Sequence, residues 1–492
     1  MTAPSLSKHQ LLVAGLLLAV CNFVVVLDMT IANVSVPNIA GGLAISTNEG
    51  TYVITSYAIA EAISVPLTGW LAARFGTLRV FTTGIFLFGL FSAMCGFATT
   101  LGFLVVGRIL QGLSGGPLMP LSQTLLMLIF PQEKRMTAMG LWSMTTLVAP
   151  ILGPIIGGYI CDSWGWSWIF FINIPLAILC SIAAWTLLKP FETDIVKSKI
   201  DTVGLFLLFT SVGCFQYMLD EGQKLDWFAS NEIIALAIIA VVGFIALLIW
   251  EATEENPIID LQVFKYRGFS VSVLAISLIF GAFFGSIVLT PLWLQTNMGY
   301  TATWSGLTMA ANGVLAVIAA PFAAKLAGKI DPRKLVTLGV FWLGAVTFYR
   351  SFGNNEMTYA QIAGPILFQG LGMPFFFIPL SSLALSSVPS RQIATAAGLM
   401  SFLRTLSGAF STSVVTTAWG NQITTDRTDL INIMQPHPEI SLTDLDQMVQ
   451  AQSVMLATNH IFFIASTIFI LGGLVVWLAP KPQQAASLSA SH

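Results

Sequence analysis

Long apolar segments recur along the whole chain and limit what it can fold into. Of 492 residues, 55% are hydrophobic and 9% are charged, whereas soluble domains average about 25% charged residues. A helix needs about 20 apolar residues to cross a bilayer. The chain contains fourteen candidate segments: 11–36, 51–73, 79–98, 102–128, 136–160, 167–188, 203–219, 232–251, 270–294, 303–326, 335–352, 360–385, 394–418 and 459–479. The sequence therefore predicts an all-α integral membrane protein with fourteen transmembrane helices.

The distribution of positive charge predicts the orientation of these helices. If the N-terminus is cytoplasmic, sixteen of the 21 Lys and Arg residues fall on the cytoplasmic side. Three are assigned to outer loops, namely Lys224, Arg350 and Arg427, and two lie inside segments, namely Arg108 and Arg404. Such a bias is typical of membrane proteins. We therefore expect both termini to be cytoplasmic.

An internal repeat divides the chain. Residues between segments 4 and 5 recur between segments 12 and 13 at an offset of 258: Pro131, Thr137, Ala138, Gly140 and Leu141 match Pro389, Thr395, Ala396, Gly398 and Leu399. Gln111 matches Gln369 at the same offset. Duplicated halves are common in transporters. We predict a six-helix half at 1–188, a link and two inserted helices at 189–260, and a second six-helix half at 261–492.

The longest outer loop, 421–458, is polar at first and then has helical periodicity. Apolar residues recur at three-and-four spacing after Ser441 and Asp444, a plausible capping pair. The sequence predicts a partly helical projection outside the membrane.

Several classes of function have no support in the sequence. There is no phosphate-binding GxxxxGK[ST] loop, and the four histidines are isolated, so no metal site is predicted. No paired catalytic groups occur, and a net charge of -2 offers no basic surface for nucleic acid. We therefore expect neither an enzyme nor a bound cofactor.

Four motifs carry a family resemblance. The stretch LDMTIANVSVP in segment 1 resembles a signature of the 14-span drug/proton antiporters of the major facilitator superfamily, closest to the EmrB-type multidrug exporters. Further stretches resemble the other motifs of these antiporters, at 108–112, 153–158 and 166–175. Two positions depart from the family pattern: Ala73 stands where an aspartate is usual, which weakens a charge latch, and Ser167 stands where arginine is common.

The resemblance implies a major facilitator fold in a bacterial inner membrane. It also implies export of hydrophobic drugs, driven by the proton gradient without a cofactor. Partners implied by the resemblance are a periplasmic adaptor protein and an outer-membrane channel, with 421–458 as a possible docking surface. A solvent-facing hairpin without a partner is the alternative for that loop.

Three charged residues inside segments are candidates for proton coupling. Asp28 lies deep in segment 1, where an ionised carboxylate costs several kcal/mol unless it is paired or solvated. We expect it to carry the proton, the alternative being a static carboxylate hydrogen-bonded to a neighbouring helix. Glu61 in segment 2 is a second proton site, an attractant for cationic drugs or an interfacial residue. The position of Arg108 in the segment 4 motif suggests that it faces the cavity and modulates the proton site.

A second group of residues is predicted to shape helix packing and conformational change. Glycines allow close approach of helix backbones, and a proline removes a helix hydrogen bond, so Pro154 is expected to kink segment 5. The members of this group are Gly69, Arg74, Gly76, Gly153, Pro154, Gly157 and Gly158.

Polar or amphipathic side chains inside segments are candidates for a substrate cavity. They are Asn33, Gln123, Trp142, Gln295 and Arg404, although Arg404 could instead extend toward an interface. Some of the 35 Phe and 17 Met residues would provide adaptable apolar contacts.

The predicted function is proton-coupled export of hydrophobic drugs by alternating access. One alternative is a proton-linked uptake carrier for a small polar nutrient, which should have more polar residues within its segments. Another is a receptor on the same scaffold, in which the carboxylates would be lost.

Overall fold

The computed structural model of the chain describes residues 7–195, 201–433 and 442–480. In this part of the chain the regular structure is entirely helical. The α-helices are α1 Lys8–Leu43, α2 Thr47–Gly50, α3 Tyr52–Ser64, α4 Thr68–Phe75, α5 Thr77–Gly96, α6 Leu101–Gly115, α7 Leu118–Ile129, α8 Arg135–Trp164, α9 Trp168–Phe171, α10 Asn173–Leu188, α11 Thr202–Glu221, α12 Asn231–Thr253, α13 Arg267–Thr296, α14 Ala302–Ala327, α15 Pro332–Arg350, α16 Tyr359–Ser386, α17 Ile393–Ile433 and α18 Leu442–Val475.

Every predicted segment coincides with one of these helices or with two consecutive ones. Eleven helices in the described part are long and apolar enough to cross a membrane, and a bent pair makes a possible twelfth. The other two segments fail this test. One is broken at Val65–Leu67, a 3-10 turn that contains Pro66 and separates α3 from α4. The other is α15, which carries Arg333, Lys334 and Arg350. The all-α membrane fold is confirmed, whereas the count of fourteen spans stays a prediction.

Helices of each predicted half pack mainly with one another. In the first half α1 lies against α8, α3 against α6, and α5 against α10. In the second half α13 lies against α17, and α15 and α14 lie against α16. The inserted helices α11 and α12 form a pair, and α11 also contacts α3. The domain boundaries at 188/189 and 260/261 fall between these groups and remain predictions.

The two halves meet closely at the end of the bundle that the charge distribution assigns to the cytoplasm. A Cβ atom on Gly69 of α4 would lie 2.7 Å from the Cα of Thr395 in α17. On the other side of the contact, a Cβ on Gly398 would lie 3.0 Å from Cβ of Thr68. Both glycines therefore allow α4 and α17 to touch through their backbones.

Glycines of α8 play a similar part against α1. A Cβ on Gly153 would lie 2.6 Å from Cβ of Thr30, and one on Gly157 would lie 3.1 Å from Ile31 Cγ2. Gly158 has open space instead. The axis of this helix bends by 48° between Gln132–Pro150 and Ile155–Trp164. The bend lies where Pro154 was predicted to kink the chain, but the side chain of Pro154 is outside the described residues.

The last two helices extend beyond the predicted segments. With 41 residues, α17 is about 60 Å long, about twice the thickness of a hydrocarbon core. The second part of loop 421–458 is helical as predicted, since α18 begins at Leu442. The first part of the loop, for which the sequence indicated only polarity, is also helical as far as Ile433, where α17 ends. Residues 434–441, including Ser441, lie outside the described part.

The two extensions pair with each other as a helical hairpin. Arg427 of α17 donates to Asp446 of α18 at 2.6 Å, and the Trp419 indole donates to Thr458 Oγ1 at 3.0 Å. Polar contacts therefore connect the two helices of the hairpin at two positions along its length.

The loop between α4 and α5 follows Ala73, the position that departs from the family pattern. A carboxylate from the link at 189–260 caps this loop. The Glu192 carboxylate accepts from the backbone N–H groups of Leu78 and Arg79 at 3.0 and 3.1 Å. These groups lie in the first turn of α5, where a negative charge is stabilising. Gly76 precedes this turn with φ +95°, and a Cβ there would collide with Glu192. Glu192 thus supplies this loop with a carboxylate, which Ala73 cannot provide.

Replacement of Gly69 by valine should hold the two halves apart at this end. The added side chain would overlap Thr395, whose backbone cannot give way as a flexible side chain can. Spin labels at Ala73→Cys and Arg391→Cys, both exposed, should report a longer distance in Gly69→Val than in the parent protein. Gly102→Val is the matched control, because a Cβ there meets nothing within 4 Å. An unchanged distance would show that this contact does not limit closure.

Candidate functional site: a buried ion pair in the first half

Asp28 and Arg108 form an ion pair inside the first half. Nη1 of Arg108 on α6 donates to Oδ2 of Asp28 on α1 at 2.7 Å. Both side chains are about 1% exposed, so water screens this attraction very little. The two residues that sequence reasoning selected from different segments are therefore in direct contact.

Two amides complete the surroundings of the carboxylate. Oδ1 of Asp28 accepts from Gln111 Nε2 at 3.1 Å and from Asn173 Nδ2 at 2.6 Å. Asn173 begins α10 and also donates to Ser92 Oγ at 3.1 Å. The carboxylate thus accepts three hydrogen bonds, which connect α1 to α6 and α10.

The guanidinium group is held by groups other than Asp28 as well. Arg108 Nη1 donates to Gln111 Oε1 at 2.8 Å, and its Nε donates to the backbone carbonyl of Val53 at 3.0 Å. The charged group lies 4.2 Å from the ring centroid of Tyr57, within the range of a cation–π interaction. Arg108 therefore keeps partners on α3 even if the charge on Asp28 is removed.

Sequence reasoning missed Asn173 and Tyr57 as site residues. Asn173 lies in the motif at 166–175, but the motif does not say which helix it faces. Gln111 could have been found, because it follows Arg108 by three positions and so shares one helix face.

Glu61 and Arg404 lie between the two halves. Both are buried, and they are close enough for their charges to interact although they belong to α3 and α17. The guanidinium of Arg404 stands 5.3 Å from the ring centroid of Phe280 and 5.8 Å from that of Phe377. It also contacts the Met119 sulfur. Arg404 is thus turned toward the interior and does not extend to an interface.

An aromatic cluster adjoins Arg404. Trp142 of α8 stacks on Phe377 of α16, with ring centroids 6.1 Å apart, and its indole donates to Ser122 Oγ at 2.8 Å. Gln123 is fully buried, and neither of its amide atoms has a hydrogen-bond partner among the described residues. These three cavity candidates are therefore all buried. Phe377 is a neighbour of both Trp142 and Arg404.

The other candidate residues lie elsewhere. Asn33 and Gln295 are exposed, and Gln295 is next to the last residue of α13. Arg74 lies over the rings of Trp70 and Phe75 at 5.7 and 5.8 Å, near the end of α4. The described residues contain no group of His, Cys, Asp or Glu that could hold a metal ion.

Arg350 corrects the assignment of charges to loops. It was expected in an outer loop, but it is the last residue of α15 and is buried. Its side chain donates to Gln369 Oε1 at 3.0 Å and to Thr290 Oγ1 at 2.6 Å. Side chains on a helix point back toward its N-terminus. The guanidinium of Arg350 therefore lies in the interior of the second half and not in the loop that follows α15.

Removal of one member of the Asp28–Arg108 pair should cost far more than removal of both charges. Arg108→Gln leaves a buried carboxylate without its counter-charge, and we expect a loss of about 3–5 kcal/mol of unfolding free energy. The double variant Asp28→Asn/Arg108→Gln should regain part of this loss. Denaturant unfolding of the detergent-purified variants measures the coupling. As a control, Arg427→Gln breaks an exposed pair and should cost at most about 1 kcal/mol of unfolding free energy. Strictly additive effects of the Asp28 and Arg108 substitutions would contradict a direct ion pair between them.

Comparison with known proteins agrees with this architecture. A family model described as Major Facilitator Superfamily matches residues 18–412. The chain is 44% identical to the multidrug export protein EmrB of Haemophilus influenzae, over 97% of this chain and 98% of that protein. It is 42% identical to the fatty acid resistance protein FarB of Neisseria gonorrhoeae, over 98% of each chain.

Solved structures show the same fold. The proton:xylose symporter XylE superposes with a TM-score of 0.62 at 14% identity, over 97% of both chains. The human organic anion transporter MFSD10 gives a TM-score of 0.58 at 13% identity, over 95% of this chain and 98% of that one. Taken with the family match and the close relatives, these findings establish that the chain is an EmrB-type member of the major facilitator superfamily.

Proposed function

We propose that the protein exports hydrophobic drugs or other toxic compounds in exchange for protons, by alternating access. The observation that carries this proposal is the buried Asp28 carboxylate, held by Arg108, Gln111 and Asn173. An ionisable carboxylate inside a membrane protein is a functional group by default. Two relatives, a multidrug export protein and a fatty acid resistance protein, support export of toxic compounds.

Proton binding at Asp28 would change the contacts of several helices. A protonated carboxyl group loses its ion pair with Arg108 and becomes a weaker acceptor for Gln111 and Asn173. The guanidinium would keep the Val53 carbonyl and the Tyr57 ring as partners. Protonation from outside would favour the state that releases drug, and deprotonation inside would restore the state that binds it.

The aromatic cluster between the halves supports a hydrophobic substrate. Trp142, Phe280 and Phe377 offer large apolar surfaces with weak directional demands. Glu61 and Arg404 add one charge of each sign nearby. A bulky apolar compound would contact both halves here, so that its binding would depend on their relative position.

Proton-linked uptake of a small polar nutrient is the alternative. XylE, a proton:xylose symporter, has the same fold, and its 14% identity says nothing about substrate. Against uptake, aromatic rings crowd the neighbourhood of Arg404 and Trp142.

Asp28→Asn should abolish exchange of protons for drug. In proteoliposomes with an imposed pH gradient, addition of a hydrophobic cation should release protons through the parent protein. The variant should still bind the drug but release no protons, because an amide cannot carry the proton. Asp226→Asn, at an exposed loop acid, is the control and should behave as the parent.

If Asp28→Asn still exchanges protons for drug as the parent does, the proton is carried by another residue, and Glu61→Gln is the next variant to test. If the parent protein itself moves no protons with any drug, the uptake carrier or the receptor becomes the better hypothesis.

We further propose that the hairpin formed by the ends of α17 and α18 docks a periplasmic adaptor, which in turn would contact an outer-membrane channel. The hairpin is longer than a membrane span requires. Ile431 is 50% exposed and Met448 is 60% exposed, and both lie on the extensions. Exposed apolar side chains on a projecting helix are typical of a surface that binds another protein.

Ile431→Ser/Met448→Ser should weaken association with the adaptor without changing the carrier. Co-purification of the adaptor from membranes should fall, while proton exchange in proteoliposomes should remain. Phe228→Ser, at an equally exposed side chain in another loop, should leave co-purification unchanged. Undiminished co-purification of the double variant would indicate a hairpin that does not contact the adaptor.

A further inference from the structure

In the part of the second half that the structure describes, one buried positive charge is not neutralised by a carboxylate. The guanidinium of Arg350 is enclosed by α13, α16 and α18, and it lies 4.2 Å from the ring centroid of Phe462. Its hydrogen-bond partners are neutral, namely Thr290 Oγ1 and Gln369 Oε1. Among the described residues no Asp or Glu oxygen lies within 4.0 Å of it.

The internal repeat shows what is missing there. Gln369 is the counterpart of Gln111, which in the first half bonds both Arg108 and Asp28. The position that matches Asp28 at the same offset is Ser286. Its hydroxyl donates to the Ala282 carbonyl of its own helix. The site in the first half thus pairs a cation with an anion, whereas at the matching place in the second half the described residues provide only the cation.

Two neighbouring donors also lack an acceptor. Gln369 Nε2 and Trp293 Nε1 are buried and have no hydrogen-bond partner among the described residues. Trp293 follows Thr290 by three positions, so both lie on one face of α13. It also belongs to the same apolar cluster as Phe462, over which Arg350 stands. Guanidinium, amide N–H and indole N–H groups are all donors, and a buried donor without a partner is destabilising.

We propose that this place binds a small monovalent anion, with chloride as the ion to test. An anion would neutralise Arg350 and accept from the free N–H groups of Gln369 and Trp293, which a water molecule could do only in part. The neighbouring Ile366, Phe462 and Trp293 side chains are at most 3% exposed, so an ion held there would be shielded from solvent. Bound there, the ion bridges α13, α15 and α16 and stabilises the second half.

Thermal unfolding of the detergent-purified protein in chloride and in gluconate, at equal ionic strength, tests the proposal. The midpoint of the parent protein should rise with chloride and reach a plateau, as expected for a saturable site. Gln369→Glu supplies a carboxylate beside Arg350, as Asp28 does beside Arg108, and should remove the chloride dependence. Arg350→Gln should remove it as well, and line broadening of the ³⁵Cl resonance should disappear in both variants.

Arg427→Gln is the matched control, because this arginine is exposed and paired with Asp446; it should keep the full response. If Arg350→Gln does not fold, Gln369→Glu alone decides. Equal midpoints of the parent protein in the two salts, or a full chloride response in Gln369→Glu, would overturn the proposal.

Discussion

The interior of a membrane protein has no water to neutralise charge, and the first half meets this constraint with one ion pair. Asp28 of α1 accepts from α6 and α10, and Arg108 of α6 donates to the Val53 carbonyl in α3. Four helices are therefore joined through two side chains that are almost fully buried. A structure joined in this way has few alternatives, because any other arrangement would leave a charge without a partner. For the same reason, a proton added to Asp28 affects all four helices at once.

The second half meets the constraint differently, although it is built on the same repeat. Gln369 occupies the position of Gln111, but the arginine comes from α15 and no acid stands at the position of Asp28. Sequence similarity between the halves at residues 131–141 and 389–399 therefore does not extend to their polar interiors. This asymmetry gives the first half the only carboxylate–guanidinium pair that is buried on both sides within the described residues.

Much of the fold and part of the site could be predicted from sequence. Hydropathy locates the helices, because apolar segments of about 20 residues have few alternatives in a bilayer. Asp28 and Arg108 could be selected because a charge inside an apolar segment is costly. Asn173 could not, since it is 145 positions away from Asp28 and amides occur in many places without such a role. Arg350 was assigned wrongly because it stands at the end of its helix, whereas its side chain points back toward the N-terminus of that helix and into the protein.

The loop between α4 and α5 shows how a missing residue can be replaced by one that is distant in sequence. Ala73 cannot provide the acid that the family usually has, and it is exposed. Glu192 reaches the first turn of α5 instead, and Thr193 receives the Thr77 N–H at 3.0 Å. Both residues belong to the link between the first half and the inserted helices, so the start of this link is fixed to the first half. One contact at which the halves can part is that of α4 with α17, where Gly69 meets Thr395. That contact consists of backbone and small side chains, with no ion pair to break, so the halves can separate at this point with little electrostatic cost, and the Asp28–Arg108 pair keeps its partners within the first half.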